Sequence, residues 1–337
     1  MSNQPTTSEP TLIEFTLSAE DLEHKRLDKL MHVKFPNFSR SYLQILFEDQ
    51  FIKGTANGKP VDLKLNKLPP IGTLISVLPP IAKEIKTQAE NIPLEILHED
   101  DDLIIINKKA GMVVHPAAGN WEGTLVSALL HHCPNISGVG NEKRPGIVHR
   151  LDKGTSGVMV VAKNQSTHQA LCEIFAKHDL KRVYECLAVG FWKYPINYKV
   201  ETTIGRSNTN RKKMQANVKN GKKAISFFHI KKQYKNICHI ECKLETGRTH
   251  QIRVHLSQFL HLPIVNDGLY GRSKEDKTMS NEAMKILEGF DHPLLHAKTL
   301  GFTHPQTKEY LEFTVEPEST FINLVEQLDK EATAIEK

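Results

Sequence analysis

The 337-residue chain has no apolar run approaching the ~18 residues that a spanning helix needs, which excludes an integral helical membrane protein. Its opening residues 1–11 are polar, with Glu9 the only charged side chain, so no basic start leads into an apolar stretch and no secretory leader is expected. Five cysteines, at 133, 172, 186, 238 and 242, form no C-x-x-C pair. Their odd number and irregular spacing argue against a disulfide framework, and thiols kept reduced in the cytoplasm are the simpler expectation. Phosphate-cradling signatures are missing too, with neither a Walker loop nor a dinucleotide fingerprint. Ser156 in Gly-Thr-Ser-Gly lacks the glycine spacing of a nucleophile elbow. No metal is expected. His250 and His255, five apart, would point to opposite faces of a strand, and His131-His132 beside Cys133 lack a third ligand. Cys238 and Cys242 read as core.

One absence is local. Between Glu201 and Glu241 there is no acidic residue, yet there are ten Lys and Arg, at 206, 211, 212, 213, 219, 222, 223, 231, 232 and 235, with Phe227, Phe228 and Tyr234 among them. Such a stripe attracts polyanions through phosphate contacts and counterion release; the plainer alternative is a solvated lysine-rich surface. Composition is otherwise ordinary, 39% apolar and 25% charged, which excludes a largely disordered chain and leaves enough length for about two domains.

Residues 1–12 read as a tail. From Asp21 to Val33 apolar residues fit one helical face, and a second helix follows with Ser39 as its N-cap. Short strands at Phe51-Ile52 and Pro60–Leu63, separated by a Gly-Thr-Ala-Asn-Gly turn, and a last strand beginning at Thr73 complete an α/β unit over 13–80. The proline-bounded polar segment 81–92 is the expected linker. A larger domain over 93–329 precedes a tail at 330–337. It is rich in strands, with candidate helices near 124–132, 165–178, 251–259 and 319–329. Strands outnumber helices without alternating strictly with them, which argues against a doubly wound parallel sheet.

The most unusual local sequence is Arg144–Lys163, where expected strands Gly146–Val148 and Val158–Ala162 bracket His-Arg-Leu-Asp-Lys-Gly-Thr-Ser-Gly. Asp152 lies between Arg150 and Lys153. A carboxylate with cations close by stays ionised and can act as nucleophile, base or stabiliser of developing positive charge. A charged hairpin loop with Asp152 paired to Arg150 would look the same from pattern alone.

Those residues carry a resemblance. HRLD followed by TSG and an apolar strand resembles the central motif of the RluA family of pseudouridine synthases. Residues 106–132, 182–190, 245–257 and 294–307 resemble, in order, the segment preceding that motif, the tyrosine motif, the arginine motif and the closing strand region. The first 80 residues resemble the S-four domain, a small RNA-binding module. The resemblance is greatest to the RluD-like subgroup, whose members modify large-subunit ribosomal RNA.

It implies an α+β protein, its catalytic domain on a mixed, mainly antiparallel sheet flanked by helices and loops, preceded by the small α/β RNA-binding domain. It also implies a cofactor-free isomerisation of uridine in RNA. Asp152 matches the essential aspartate, Arg150 the residue that fills the gap left by a flipped nucleotide, and Tyr184 the aromatic that packs on the base. Arg253 is the candidate partner of Asp152. Ser39, Arg40 and Lys59 in the small domain, and Arg211, Lys212 and Lys213 in the stripe, are candidate RNA contacts. The expected partner is ribosomal RNA or its precursor particle, bound by a cytoplasmic monomer. The chain departs from the family pattern at Gly154 (usually an acid), Lys109 (usually proline), and Asn266 and Gln50 (usually glycine). A non-catalytic RNA binder would not need Asp152, Tyr184 and Arg253 together. A glycosidic hydrolase would need a second acid near Asp152.

Overall fold

The computed structural model describes residues 12–35, 38, 40–78, 87–116, 119–141, 144–210, 212–271 and 279–335. The chain divides into two compact units, Met1–Ile85 and Lys86–Lys337. In the first, strands β1 (Ile13–Thr16), β2 (Ile52–Ala56), β3 (Lys59–Val61) and β4 (Leu74–Val77) form an antiparallel sheet in the order β1-β4-β2-β3. Helices α1 (Leu27–Lys34) and α2 (Arg40–Glu48) bury Leu27, Met31, Leu43 and Leu46 against Ile52, Ile75 and Val77.

Three local readings are corrected here. The expected 21–33 helix is broken: a 3-10 turn over Glu20–His24 ends at Lys25, whose φ of 55° reverses the chain before α1. The Gly-Thr-Ala-Asn-Gly turn shrinks to Asn57-Gly58, both at positive φ, because Gly54–Ala56 belong to β2. Strand β1, which the sequence reading missed, closes one edge of the sheet. Gln50, standing where glycine was expected, holds φ 61° all the same. The proposed cap Ser39 lies outside the described residues.

The second unit is built on one ten-stranded sheet. Its strands are β5 (Glu95–Glu99), β6 (Leu103–Lys108), β9 (Ser156–Ala162), β10 (Lys181–Val189), β11 (Asn197–Arg206), β12 (Met214–Ala216), β13 (Lys222–Gln233), β14 (Ile237–Leu244), β15 (Leu295–Thr303) and β16 (Tyr310–Thr314). A separate two-residue pair, β7 (Gly140–Asn141) and β8 (Arg144–Pro145), precedes the Asp152 loop. The order β12-β11-β13-β14-β10-β15-β9-β6-β5, with β16 on β15, is antiparallel throughout except for β15 beside β9. The mixed, mainly antiparallel sheet is therefore present.

Helices α3 (Leu125–His132) and α4 (Gln165–Lys177) lie in the half of the sheet holding β6 and β9. Helices α5 (Gln251–Val254), α6 (Asn281–Ile286) and α7 (Ser319–Ile335) lie in the half holding β10, β13 and β14. Thr124 and Asn164 cap α3 and α4 by accepting the backbone N–H groups of Ser127 and Thr167. Tyr184 touches the apolar clusters of both halves, which puts it at the seam of the sheet.

Two further corrections apply. Gly146–Val148 is not a sheet strand: Ile147 makes only an isolated bridge to Val161, since the chain is turning into the Asp152 loop. Residues 330–335 are not tail but the last turns of α7, whose apolar spacing of Phe321, Leu324, Leu328 and Ala332 continues past 329. The alternating segment that forms β11 was not picked out from sequence.

His255 shows how the sheet holds the arginine-bearing turn. Its Nε2 meets Thr202 Oγ1 of β11 and its Nδ1 meets Ser226 Oγ of β13, both at 2.9 Å. Burial pushes its pKa down from 6.5 to about 4. The native imidazole is therefore neutral where the unfolded one takes a proton, so stability is present above pH 6.5 and is lost as pH falls toward 4. The loss is at most about 1.4 kcal/mol per pH unit. Urea unfolding at pH 7 and pH 5 should show it, and His255→Gln should narrow the gap; an equal gap in the variant would remove His255 as its source.

Candidate active site

Residues 149–155 leave β8 and lead into β9, and this loop is held from below. The Lys108 ammonium, 1% exposed at the end of β6, donates to the carbonyls of Lys109 (2.8 Å), Met112 (3.0 Å) and Lys153 (3.5 Å). Burial pushes its pKa down to about 7, against the opposing pull of Asp152. Gly111 N–H adds a bond to the Lys153 carbonyl, and Thr155 N–H closes the turn on the Asp152 carbonyl. His149 is turned inward, with its Nε2 accepting from Val160 N–H at 3.1 Å and its ring stacked 4.5 Å from Phe175. The chain direction then presents Asp152 to a cleft of about 470 Å3.

Across the cleft, α5 supplies Arg253. Gln251 fixes that helix: its amide donates to the Ile225 carbonyl and Ser226 Oγ, and its oxygen accepts from Thr246 Oγ1 and Arg248 N–H. Arg253 Nη1 donates to Asp152 Oδ2 at 3.1 Å. Its Nε and Nη2 make a bidentate pair with Asp267, both at 2.8 Å. Burial alone would depress the guanidinium, but Asp267 and then Asp152 hold it above its ordinary value. Asp267, 3% exposed, also accepts the backbone N–H groups of Leu269 and Tyr270. The second carboxylate near Asp152 is thus committed to Arg253 and to a turn, which among the described residues leaves no free acid there for paired-carboxylate hydrolysis.

His250 completes the set. It caps α5 at φ 56°, with Nε2 3.8 Å from Asp152 Oδ2 and Nδ1 2.8 Å from Tyr270 Oη. Met214 N–H donates to the same phenol oxygen, so Tyr270 O–H is assigned as donor to Nδ1, placing the His250 proton on Nε2 toward Asp152. Burial lowers the His250 pKa and keeps the ring neutral near pH 7. Asp152 Oδ2 is therefore engaged, while Oδ1 has no hydrogen bond among the described residues. A carboxylate with one anchored oxygen and one open oxygen can attack carbon or take a proton.

Tyr184 lines the same cleft, and burial pushes its pKa to about 12, so its phenol stays protonated beside Asp152. Arg150 is exposed at the rim. The cleft falls within the roughly 300–1,000 Å3 of small-ligand sites.

Comparison with known proteins bears directly on this site. Residues 102–258 match the model of a family described as RNA pseudouridylate synthase. The ribosomal large subunit pseudouridine synthase D of Vibrio vulnificus is 38% identical over 322 residues, 95% of this chain and 96% of that protein. Its namesake in Haemophilus ducreyi is 39% identical over 94% of this chain and 95% of its own. The chain belongs to the RNA pseudouridylate synthase family. An uncharacterized RNA pseudouridine synthase of Bacillus subtilis is 36% identical over 93% of this chain and 97% of its own. The solved human RNA pseudouridylate synthase domain containing 4 shares the fold, with a TM-score of 0.55 at 24% identity over 70% of this chain and 93% of that one. Family membership carries the reaction, the isomerisation of uridine in RNA to pseudouridine.

Within this synthase, Asp152, Arg150, Tyr184 and Arg253 meet in one cleft as the sequence reading grouped them, and Asp152 pairs with Arg253 rather than Arg150. From spacing alone, His250 and His255 read as a pair on a strand. The histidines lie instead on a helical turn that ends in a π-turn over His255–Phe259. Two family departures have local reasons. A Cβ at Gly154 would come 2.8 Å from His292 Cβ, so this backbone has no room for an acid. Asn266, in place of glycine, sits at φ 61° and donates to the Phe290 carbonyl at 2.5 Å.

The cluster Asp100, Asp102 and His304 could be mistaken for a metal site. His304 Nδ1 accepts from Gln306 and Thr307 N–H, so its proton is on the Nε2 that faces Asp100 at 3.3 Å. Asp102 accepts from Asn164 and Thr167.

The basic stripe is partly neutralised from outside. Lys223 pairs with Glu201, Lys231 with Glu185 and Lys232 with Asp329. Lys212 and Lys213 lie just before β12, with the Lys213 ammonium 5.8 Å from the Tyr270 ring centroid, beside the Asp152 network. Arg211 lies outside the described residues. In the first unit, Lys59 is exposed on β3, and Arg40 opens α2 with its side chain outside the described residues. Charge reversal of Lys212 and Lys213 is expected to weaken RNA binding and flatten its salt dependence by about 0.7 in slope per lost phosphate contact. An unchanged slope in filter binding would assign both lysines to solvated surface.

Proposed function

We propose that the substrate is large-subunit ribosomal RNA, free or in a precursor particle, and that Asp152 is the essential catalytic residue of a reaction needing no cofactor. The observation that carries this reading is the Asp152 carboxylate, one oxygen anchored by Arg253 and the other open, in a nucleotide-sized cleft with Tyr184 on its wall. Extrusion of the target uridine would place its glycosidic bond at Asp152 and its ring against Tyr184, with Arg150 filling the vacated stack. The names of the 38–39% identical relatives favour this RNA over transfer RNA. The first unit would act as an S-four-like RNA-binding module through Ser39, Arg40 and Lys59, on a cytoplasmic monomer. Among the described residues, no helix is long and apolar enough to cross a membrane.

Pseudouridine mapping of ribosomal and transfer RNA from cells lacking the protein tests the substrate. Complementation with the unaltered protein or with Asp152→Ala tests the residue. Sites lost and restored only by the unaltered protein support both. Sites lost from transfer RNA alone would reject the substrate, and restoration by Asp152→Ala would reject the catalyst.

A further inference from the structure

Arg182 sits two residues before Tyr184 on the same face of β10 and lines the same cleft. Its side chain is 8% exposed, yet it is poorly matched within the protein. Nη2 donates to the Glu245 carbonyl at 2.8 Å, and the guanidinium stands 5.8 Å from the centroid of the Phe175 ring. Nε has no hydrogen-bond partner among the described residues. Burial, and with it the nearby Arg248, lowers its pKa, and among the described residues no carboxylate pairs with it. Arg253, on the facing wall, is held by two carboxylates. Space for Arg182 is built into the backbone: a Cβ at Gly247 would lie 2.7 Å from its Nη1. A buried guanidinium without a counterion is costly, and such groups are normally paired.

We propose that Arg182 is a phosphate-binding residue of the cleft, taking a phosphodiester of the strand next to the target uridine and so positioning that nucleotide against Asp152 and Tyr184. The inference rests on the reading that the cleft receives uridine in RNA. Phosphodiesters are the formal anions of RNA, whereas uracil and ribose offer only neutral groups. The other cleft arginines are differently placed. Arg253 is already paired with two carboxylates, Arg248 Nε is spent on the Lys223 carbonyl, and Arg150 is at the solvated rim. A charge-assisted bond from a dehydrated guanidinium is strong and directional, which suits holding one backbone position.

The test uses the whole chain with Arg182→Met and Arg182→Lys. Filter binding to protein-free large-subunit ribosomal RNA is measured between 50 and 200 mM salt, with thermal melting and pseudouridine formation on the same RNA. Arg182→Met removes an uncompensated buried charge, so it should melt no lower than the unaltered protein. Its plot of log affinity against log salt should be shallower by about 0.7 to 1, and pseudouridine formation should fall by roughly tenfold or more. Arg182→Lys should keep the slope and recover part of the activity. A slope unchanged in Arg182→Met overturns the proposal. With lower melting that result makes Arg182 structural, and with normal melting but lost turnover it points to a neutral contact with the base. If the unaltered protein neither binds nor modifies this RNA, the substrate reading falls first and this inference with it.

Discussion

Asp152→Asn is expected to lower pseudouridine formation on the order of 10^4-fold or more while leaving the protein folded. The two halves of that expectation have separate causes. Asparagine keeps the shape of aspartate but cannot attack carbon as a carboxylate or accept a proton at neutral pH, so a chemical role at Oδ1 is lost outright. Stability should change little, because Asp152 accepts one hydrogen bond from Arg253, whose remaining donors stay on Asp267. Removing Asp152 does not strand a buried cation. Turnover measured with urea unfolding of the same sample separates the cases. Activity within tenfold of the unaltered protein would end the assignment of Asp152 as the reacting group. A large fall in stability would mean that the loop, not the chemistry, depends on it.

His250 refines this picture. Its Nε2 proton faces the same Oδ2 that Arg253 holds, so both neighbours orient one oxygen and neither blocks the other. The arrangement is compatible with attack on the sugar, attack on the base, or removal of a ribose proton, since each needs only the open oxygen.

The candidate site residues were legible because each lies in a short stretch with an odd composition: His-Arg-Leu-Asp before a glycine turn, a tyrosine in an apolar strand, an arginine in a polar run. Their convergence was not legible from pattern, as Asp152 and Arg253 lie 101 residues apart and meet only because the sheet order β14-β10-β15-β9 brings the loop before β9 and the turn after β14 to one cleft. His250 was hidden by a wrong choice of periodicity, strand for helical turn. Arg182 was hidden because a cation in a strand reads as exposed until its burial is seen. The basic stripe shows the limit of reading charge from a run of sequence. Lys223, Lys231 and Lys232 lie on β13, where Glu201 of the adjacent β11, Glu185 of β10 beyond β14 and Asp329 of α7 reach them, so a run without acids in sequence is not a field without acids in space. The small unit was readable as two helices and strands, while Lys25 and the Asn57-Gly58 hairpin depended on left-handed backbone that pattern does not announce.

Asp267, though farther from the chemistry, should be the larger stability lesion. It is 3% exposed, takes both remaining arms of Arg253 and caps the turn carrying Tyr270. Asp267→Ala leaves a buried guanidinium with one partner and two backbone donors unmet, so it should cost about 3–5 kcal/mol. Unfolding of this unit can be followed selectively, because the two tryptophans, Trp121 and Trp192, both belong to it. Activity should fall as well, since Arg253 freed from Asp267 no longer sets the position of Asp152 and the Tyr270–His250 contact loosens. The double variant Arg253→Met with Asp267→Ala decides between charge and packing. If the penalty of Asp267→Ala comes from the stranded cation, removing that cation returns part of the stability while activity stays lost. If the double variant is as unstable as the sum of the singles, Asp267 matters through its turn alone. The buried pair would then be irrelevant to the shape of the site.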